Sequence, residues 1–491
     1  MLQFSYNNDQ EAIAMSKVDW NSVKKEVPEW FRDAKFGLFF HWGPYCVPAY
    51  QDEWYSRRMY DKGNPCYRHH KETFGSVHDF GYKDFYPLMK GDKFDPGEWA
   101  ALAAKSGAKY AGPVSEHADN FSMWDSRVNP VNSVNYGPGR DVLGECFAAF
   151  RKEGLRTLAT FHHQWLWGWF MSSDVEADVY LPGNEKYYGP IVPLEANRAN
   201  PYCGPDRKFC ENWKDKVREV IDNYDPDVVY FDSRAIIIDE ETRFSIPDYY
   251  YNTKKKTDGV ITYKWEDFPA GTGVFDIECG RFTEPQPFPW QVDDRLEDHP
   301  TTWSMVENPQ YRSSGRIIRQ LCDIVSKNGN LLLNVGPYAD GSFHPDAVRI
   351  LEEVGEWLAL NGEAIYGTRP FTVAAEGQAA AGEGNYDAGK LGQQVDMGRT
   401  IDRSGADPSE GEFRFTAKKD ALYVIAMGWP GDGQFHIRAL GENGVYEKPV
   451  ETVSMPGCPG LLSFTRDAEG LHVSAPDRKP CKSAYVLKIN G

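Results

Sequence analysis

Asp232 ends an almost wholly apolar run, Pro226-Asp-Val-Val-Tyr-Phe. A carboxylate in such surroundings is costly unless it is hydrogen-bonded or used. It can serve there as a nucleophile or base; the plain alternative is a cap on the following helix. Four further apolar runs end in polar residues: Phe39-Phe40 in His41-Trp42-Gly43, Pro113-Val114 in Ser115-Glu116-His117, Thr160-Phe161 in His162-His163, and Asp276-Ile277 in Glu278. Two carboxyl groups, one ionised and one kept protonated, are what glycosidic bond cleavage requires. The carboxyl partners open to Asp232 are Glu53, Glu116, Glu266, Glu278 and Glu284. Glu278 ends a strand-like run and so points where Asp232 points. Glu266 follows Tyr263-Lys-Trp, Glu284 sits in a loop that can fold inward, and the residues alone do not choose.

His162-His163 and His69-His70 raise the question of a metal. Adjacent residues on a strand face opposite ways, so such a pair seldom supplies two ligands to one ion, and no HExxH spacing accompanies them. No metal is expected; His162 or His163 reads as a hydroxyl-binding residue, His69 and His70 as loop residues. Neither GxGxxG, Walker A nor GxSxG occurs, and no cofactor is expected. Asn120-Phe-Ser fits a glycosylation site, but it follows a strand end facing a pocket and reads as a chance match.

These residues need a scaffold that gathers strand ends. Candidate strands are Phe36–Phe40, Tyr110–Val114, Thr157–Phe161, Val228–Phe231, Val260–Tyr263, Val274–Ile277 and Leu331–Val335, with Trp303–Val306 as a provisional eighth. Amphipathic stretches lie between them: Pro96–Lys105, Val142–Glu153, Asn212–Asn223, Ser314–Ser326 and Asp346–Leu360. The alternation predicts a parallel sheet closed as a (β/α)8 TIM-like barrel, whose carboxyl-terminal strand ends converge on one pocket. From Glu412 onward the pattern alternates, as in Phe413-Arg-Phe-Thr and Leu422-Tyr-Val-Ile-Ala, which predicts a C-terminal antiparallel β-sandwich. The expected division is an N-terminal arm over 1–29, the barrel over 30–369 and the sandwich over 370–491.

Several stretches resemble the family 29 glycoside hydrolases, the retaining α-L-fucosidases. They are Trp30-Phe-Arg-Asp-Ala-Lys-Phe-Gly-Leu-Phe-Phe-His41-Trp42-Gly43 with Glu53-Trp54-Tyr55 after it, Gly137-Pro-Gly-Arg-Asp141-Val-Leu-Gly144, Asp227-Val-Val-Tyr-Phe-Asp232, and Asp323-Ile-Val-Ser-Lys-Asn328-Gly329-Asn330-Leu-Leu-Leu-Asn334-Val-Gly336. The resemblance implies a retaining double displacement on a fucosylated or related α-L-glycosidic oligosaccharide. Asp232 would be the nucleophile. Glu278 would be the acid/base, standing where a branch motif has the Glu of Glu-Arg-Gly, here with Cys279 in the middle. His41, Trp42, Glu53, Trp54, Glu116, His117, His162 and Trp290 form the expected sugar-binding set. One departure is evident: the family's His-His-Asp-Gly-Phe is here His117-Ala118-Asp119-Asn120-Phe121. Losing that histidine penalises the usual sugar and frees space for another. An α-L-galactosidase, or a barrel that binds glycans without cleaving them, is therefore the alternative.

Composition sets the outer limits. The chain has 491 residues, enough for two or three domains, and a formal charge of −18 that disfavours a nucleic-acid partner. Aromatic residues reach 14%, with 15 Trp and 27 Tyr, whose flat apolar faces suit the C–H faces of sugars. Nine cysteines, an odd number without CxxC, argue for thiols over a disulfide framework, with one Cys203–Cys210 loop as the exception to test. No segment reaches 18 apolar residues, so no membrane association is expected. The N-terminus lacks the basic and apolar regions of a leader. The chain reads as soluble; a periplasmic or secreted site would need a leader outside this sequence, and a homo-oligomer is left open.

Overall fold

A computed structural model describes residues 18–192, 204–282, 284–298, 302–377 and 410–491. Eight parallel strands close into a barrel in sequential order: β1 (Phe36–Phe40), β2 (Tyr110–Glu116), β3 (Arg156–Phe161), β4 (Val228–Phe231), β5 (Val260–Lys264), β6 (Val274–Glu278), β7 (Trp290–Arg295) and β8 (Gly329–Asn334). The register closes with Phe36 opposite Leu331 and Phe39 opposite Asn334. Most strands read as continuous apolar runs because both of their faces are buried. Phe36, Leu38, Phe40, Ala159, Phe161, Val229 and Phe231 face the helices. Phe39, Tyr110, Leu158, Val228, Tyr230, Val260 and Leu332 fill the interior. Inward-facing Gly37 leaves room for the Tyr110 ring, which would lie 2.5 Å from any Cβ there, and Tyr110 Oη reaches across to Gln291 Oε1 at 2.8 Å.

The (β/α)8 expectation holds, with one strand corrected. The strand absent from the expected set is β7, Trp290–Arg295, whereas Trp303–Val306 is a buried loop joined to the barrel by a bridge between His41 and Ser304. Trp290-Gln-Val-Asp-Asp-Arg escapes recognition because its inward side chains are polar: Gln291, Asp293 and Arg295 bond to Tyr110, Lys264 and Cys279 across the interior. His69 and His70 also differ from expectation, lying on the Pro65–Thr73 helix, with His70 buried and its Nε2 on Phe80 O at 2.8 Å.

Beyond the barrel, β9 (Arg369–Glu376), β10 (Phe413–Lys418), β11 (Ala421–Ala426), β13 (Thr452–Ser454) and β16 (Tyr485–Asn490) form one antiparallel sheet in the order β13-β16-β11-β10-β9. β12 (Gln434–Ile437), β15 (Leu471–Ser474) and β14 (Phe464–Arg466) form another. Phe415, Val424, Leu487, Phe435, Ile437, Leu471 and Val473 pack between them as a sandwich core. The Ser314–Ser326 helix lies between this sandwich and the barrel, touching β8 on one side and β9 and β10 on the other. It is buried from Ile317 to Ser326. Its Asp323 binds Lys327 at 2.7 Å and Arg414 of β10 at 2.6 Å, and these cations hold the Asp323 carboxyl well below the usual range against the effect of burial. Cys203 lies outside the described residues, while Cys210 is a buried thiol.

Candidate active site

Along β4, β5 and β6 the residues that alternate inward continue to the carboxyl ends, and there they meet. Asp232 follows β4 and Glu278 closes β6. Between them stands Lys264, the last residue of β5, whose Nζ lies 3.0 Å from Asp232 Oδ1, 2.9 Å from Glu278 Oε2 and 3.0 Å from Asp293 Oδ2. Two oxygens held that close to one nitrogen are at most about 6 Å apart, in keeping with the 5–5.5 Å carboxyl spacing of retaining glycosidases. Trp165 Nε1 donates to Asp232 Oδ2 at 2.9 Å, and Gln164 Nε2 donates to the Asp232 carbonyl at 2.7 Å. Both come from the His163–Leu166 turn that follows β3.

Burial is the main cause that raises the Glu278 carboxyl; Lys264 opposes it, and the negative charges of Asp293 and Asp232 add to it. Three carboxylates around one ammonium hold the Lys264 pKa well above its ordinary value even though burial alone would lower it. Below them Asp276, buried and beside Asp293, is pushed well above the usual carboxylate range. Lys264, Asp293 and Trp165 were not singled out from sequence. Lys264 could have been, since it ends an apolar strand as Asp232 does.

Three imidazoles line the other side of the mouth. His41 Nδ1 lies 2.7 Å from Asn334 Oδ1, whose amide nitrogen donates to Trp303 O. That pairing makes Nδ1 the donor and leaves Nε2 bare toward the pocket. His117 and His162 stack at 4.9 Å with 29° between their planes, and their Nδ1 atoms are buried with no protein partner among the described residues. Burial lowers the pKa of all three, His41 to about 4, so they face a ligand as neutral rings. Their ligand atoms lie within 4.8 Å of one another, a spread that admits sugar hydroxyls between the rings as readily as an ion. His163 faces the helices instead, with Nε2 on Trp213 O at 3.2 Å.

Glu53 and Trp54 lie at the same mouth. Glu53 Oε2 accepts from Trp303 N at 2.8 Å, and burial, then Asp52, pushes its carboxyl up to about 8. Trp54 packs on Trp165 and Trp169 with ring centroids 5.6 and 4.7 Å away. Trp303 lies 5.5 Å from His41 and extends the aromatic wall.

Three expected sugar-binding residues lie elsewhere. Trp42 is fully buried against Phe94 and Trp99, its Nε1 donating to Tyr338 O. Trp290 starts β7 at the opposite end of the barrel, packed on Phe282, its Nε1 on Lys327 O. Glu116 turns to the helix side and pairs with Lys216 Nζ at 2.5 Å and Ser122 Oγ at 2.5 Å. A structural role for Glu116 predicts that Lys216→Met costs about 3–5 kcal/mol, since it strands a buried carboxylate. Turnover per folded molecule should stay at the wild-type level, and thermal unfolding beside an active-site titration checks both parts. Glu266 and Glu284 are exposed, and among the described residues Glu278 is the glutamate bonded to Lys264. Ala118, at 1% exposure, belongs to the main hydrophobic cluster, so the missing histidine does not open the pocket as expected. Asn120 is buried with its amide on Lys186 O and Tyr187 O, out of reach of glycosylation.

Comparison with known proteins bears on the family of the chain. The family described as Alpha-L-fucosidase matches residues 3–363, and that described as Alpha-L-fucosidase C-terminal domain matches residues 406–490. The chain is 27% identical to the tissue alpha-L-fucosidase of Homo sapiens, over 96% of this chain and 91% of that protein. It is 29% identical to the enzyme of the same name from Bos taurus, again over 96% and 91%. Among solved structures, the Thermotoga maritima alpha-fucosidase in complex with fucose superposes with a TM-score of 0.74 at 27% identity, covering 96% of this chain and 99% of that one. With a matched barrel, a matched C-terminal domain and relatives aligned over nearly its whole length, the chain belongs to the alpha-L-fucosidase family.

Proposed function

We propose that this chain is a retaining exo-α-L-fucosidase that releases terminal α-L-fucose from glycans, with Asp232 as nucleophile and Glu278 as acid/base. The observation that carries the residue assignment is the bridge from Lys264 to both carboxyl groups. In the first step Asp232 Oδ attacks the anomeric carbon. The glycosidic oxygen leaves with the Glu278 proton, and a fucosyl-aspartate remains. In the second, Glu278 takes a proton from water as that oxygen attacks the same carbon, and Asp232 departs as a carboxylate. Two inversions return the original configuration.

Lys264 offers its charge to Asp232 when the carboxylate leaves, and keeps the two carboxyl groups facing one space. His41 Nε2 and the stacked His117 and His162 supply neutral partners for sugar hydroxyls, while Trp54, Trp165 and Trp303 offer faces to its C–H surface. Neutral imidazoles and indole faces on this side of the mouth suit an uncharged deoxysugar. Hydrolysis of an aryl α-L-fucoside, followed by proton NMR of the first-formed sugar, tests the reading: α-L-fucose should appear before mutarotation. Initial appearance of the β-anomer, or cleavage of the α-L-galactoside in preference, would overturn it.

A further inference from the structure

Far from the barrel mouth, the outer face of the three-stranded sheet carries a pair of histidines whose surroundings are those of ligands. His436 of β12 lies directly opposite His472 of β15 in the antiparallel register. Their neighbours Phe435, Ile437, Leu471 and Val473 turn into the sandwich core, so both rings stand on the solvent side. His436 Nε2 lies 2.8 Å from Asp432 Oδ2, and His472 Nε2 lies 3.2 Å from Asp467 Oδ1. A carboxylate only accepts, so Nε2 is the protonated nitrogen on both rings and Nδ1 carries the lone pair on each neutral ring. Those two Nδ1 atoms face each other at 2.8 Å. Two lone pairs that close repel unless a positive centre lies between or just in front of them.

We propose that His436 and His472 form a two-histidine site for a divalent transition-metal ion of the Zn2+, Cu2+ or Ni2+ class, bound through both Nδ1 atoms and completed by water. Two nitrogens bound to zinc at about 2.0–2.1 Å and at a tetrahedral angle stand about 3.3 Å apart. The pair therefore needs only a few tenths of an ångström of opening to chelate. Imidazole nitrogen selects this class over Mg2+ or Ca2+. The two aspartates complete the picture, because a metal-bound histidine commonly donates its other N–H to a carboxylate that fixes the ring and its tautomer. Both carboxylates are themselves anchored by backbone amides: Asp432 by Gln434 N at 3.0 Å, Asp467 by Glu469 N at 2.8 Å. The rings are thus held in place from behind, and the ion would clip β12 to β15. This site is independent of the fucosidase reading.

Calorimetric titration of the EDTA-treated full chain with Zn2+ alone tests the proposal, together with the melting temperature at each metal concentration. One equivalent should bind and raise the melting temperature. His436→Gln and His472→Gln should each lose that equivalent, and Asp432→Asn or Asp467→Asn should weaken it by about tenfold or more. Metal-free hydrolysis of the aryl fucoside should be unchanged in all four variants. An equivalent that persists in both histidine variants and blocks hydrolysis would place the ion at His41, His117 and His162 and overturn the proposal. Absence of Zn2+ binding by the wild type would overturn it as well.

Discussion

Asp232→Asn is expected to lower kcat/KM on an aryl α-L-fucoside by at least about 10^4-fold with the fold intact, the scale seen when a nucleophile that acts as part of a unit is removed. The amide keeps the shape and can still accept from Trp165, but it cannot form the covalent intermediate. Asp232→Gly gives the sharper version of the same experiment. It vacates the space beside Lys264, into which azide can diffuse, attack the anomeric carbon and release the aglycone with a proton from Glu278. The product should be fucosyl azide of inverted configuration. Equal turnover by wild type and Asp232→Asn would remove Asp232 from the mechanism. Rescue yielding the retained azide would move the nucleophile to another residue.

Glu278→Gln should cost about 10^2–10^4-fold in kcat/KM on substrates with poor leaving groups, the usual worth of general acid catalysis. It should cost far less on aryl fucosides whose phenols leave unaided. Glu266→Gln and Glu284→Gln, at exposed positions and outside the set of carboxylates bonded to Lys264, should leave both substrates as they were. The pH profile supplies a second readout. Glycosylation needs Glu278 protonated, so activity is present below its pKa and falls as pH rises through it. Burial places that pKa above the ordinary glutamate value of 4.5, so the alkaline limb lies above that value and should vanish in Glu278→Gln. A variant that keeps the limb would reassign it to Glu53, whose buried carboxyl titrates at about 8.

Seven of the eight barrel strands are legible because strands buried on both faces read as apolar runs. β7 is illegible for the opposite reason: its interior side carries Gln291, Asp293 and Arg295, which only the polar interior of this barrel makes admissible. The misplaced site residues have separate causes. Trp42 adjoins inward-facing His41, and a side-chain period of two sends it to the opposite face. Glu116 stands two residues after inward-facing Val114, but a register shift between them turns it outward, and Trp290 opens β7 at the end far from the mouth. Aromatic or acidic character drew attention to the right segments, but the choice between faces needed the register. Lys264 went unnoticed because a lysine between two aromatics looks like a surface residue until three carboxylates from three strands are seen around it. Distances of this kind between β4, β5, β6 and β7 exist only once the barrel closes.

The helix over Ser314–Ser326 has a consequence for how the polypeptide is made. Its inner side seals the barrel and its outer side is sealed by β9 and β10, and in the same sheet β11 pairs with β16. On the ribosome, every barrel strand has emerged well before Tyr485–Asn490 can take the place between β11 and β13. Through that interval the nascent barrel carries a greasy outer stripe with no cover, a target for chaperones and for other nascent copies. Chains released early, between residues 335 and 484, should accordingly be caught in aggregates or degraded rather than accumulate as a free catalytic barrel.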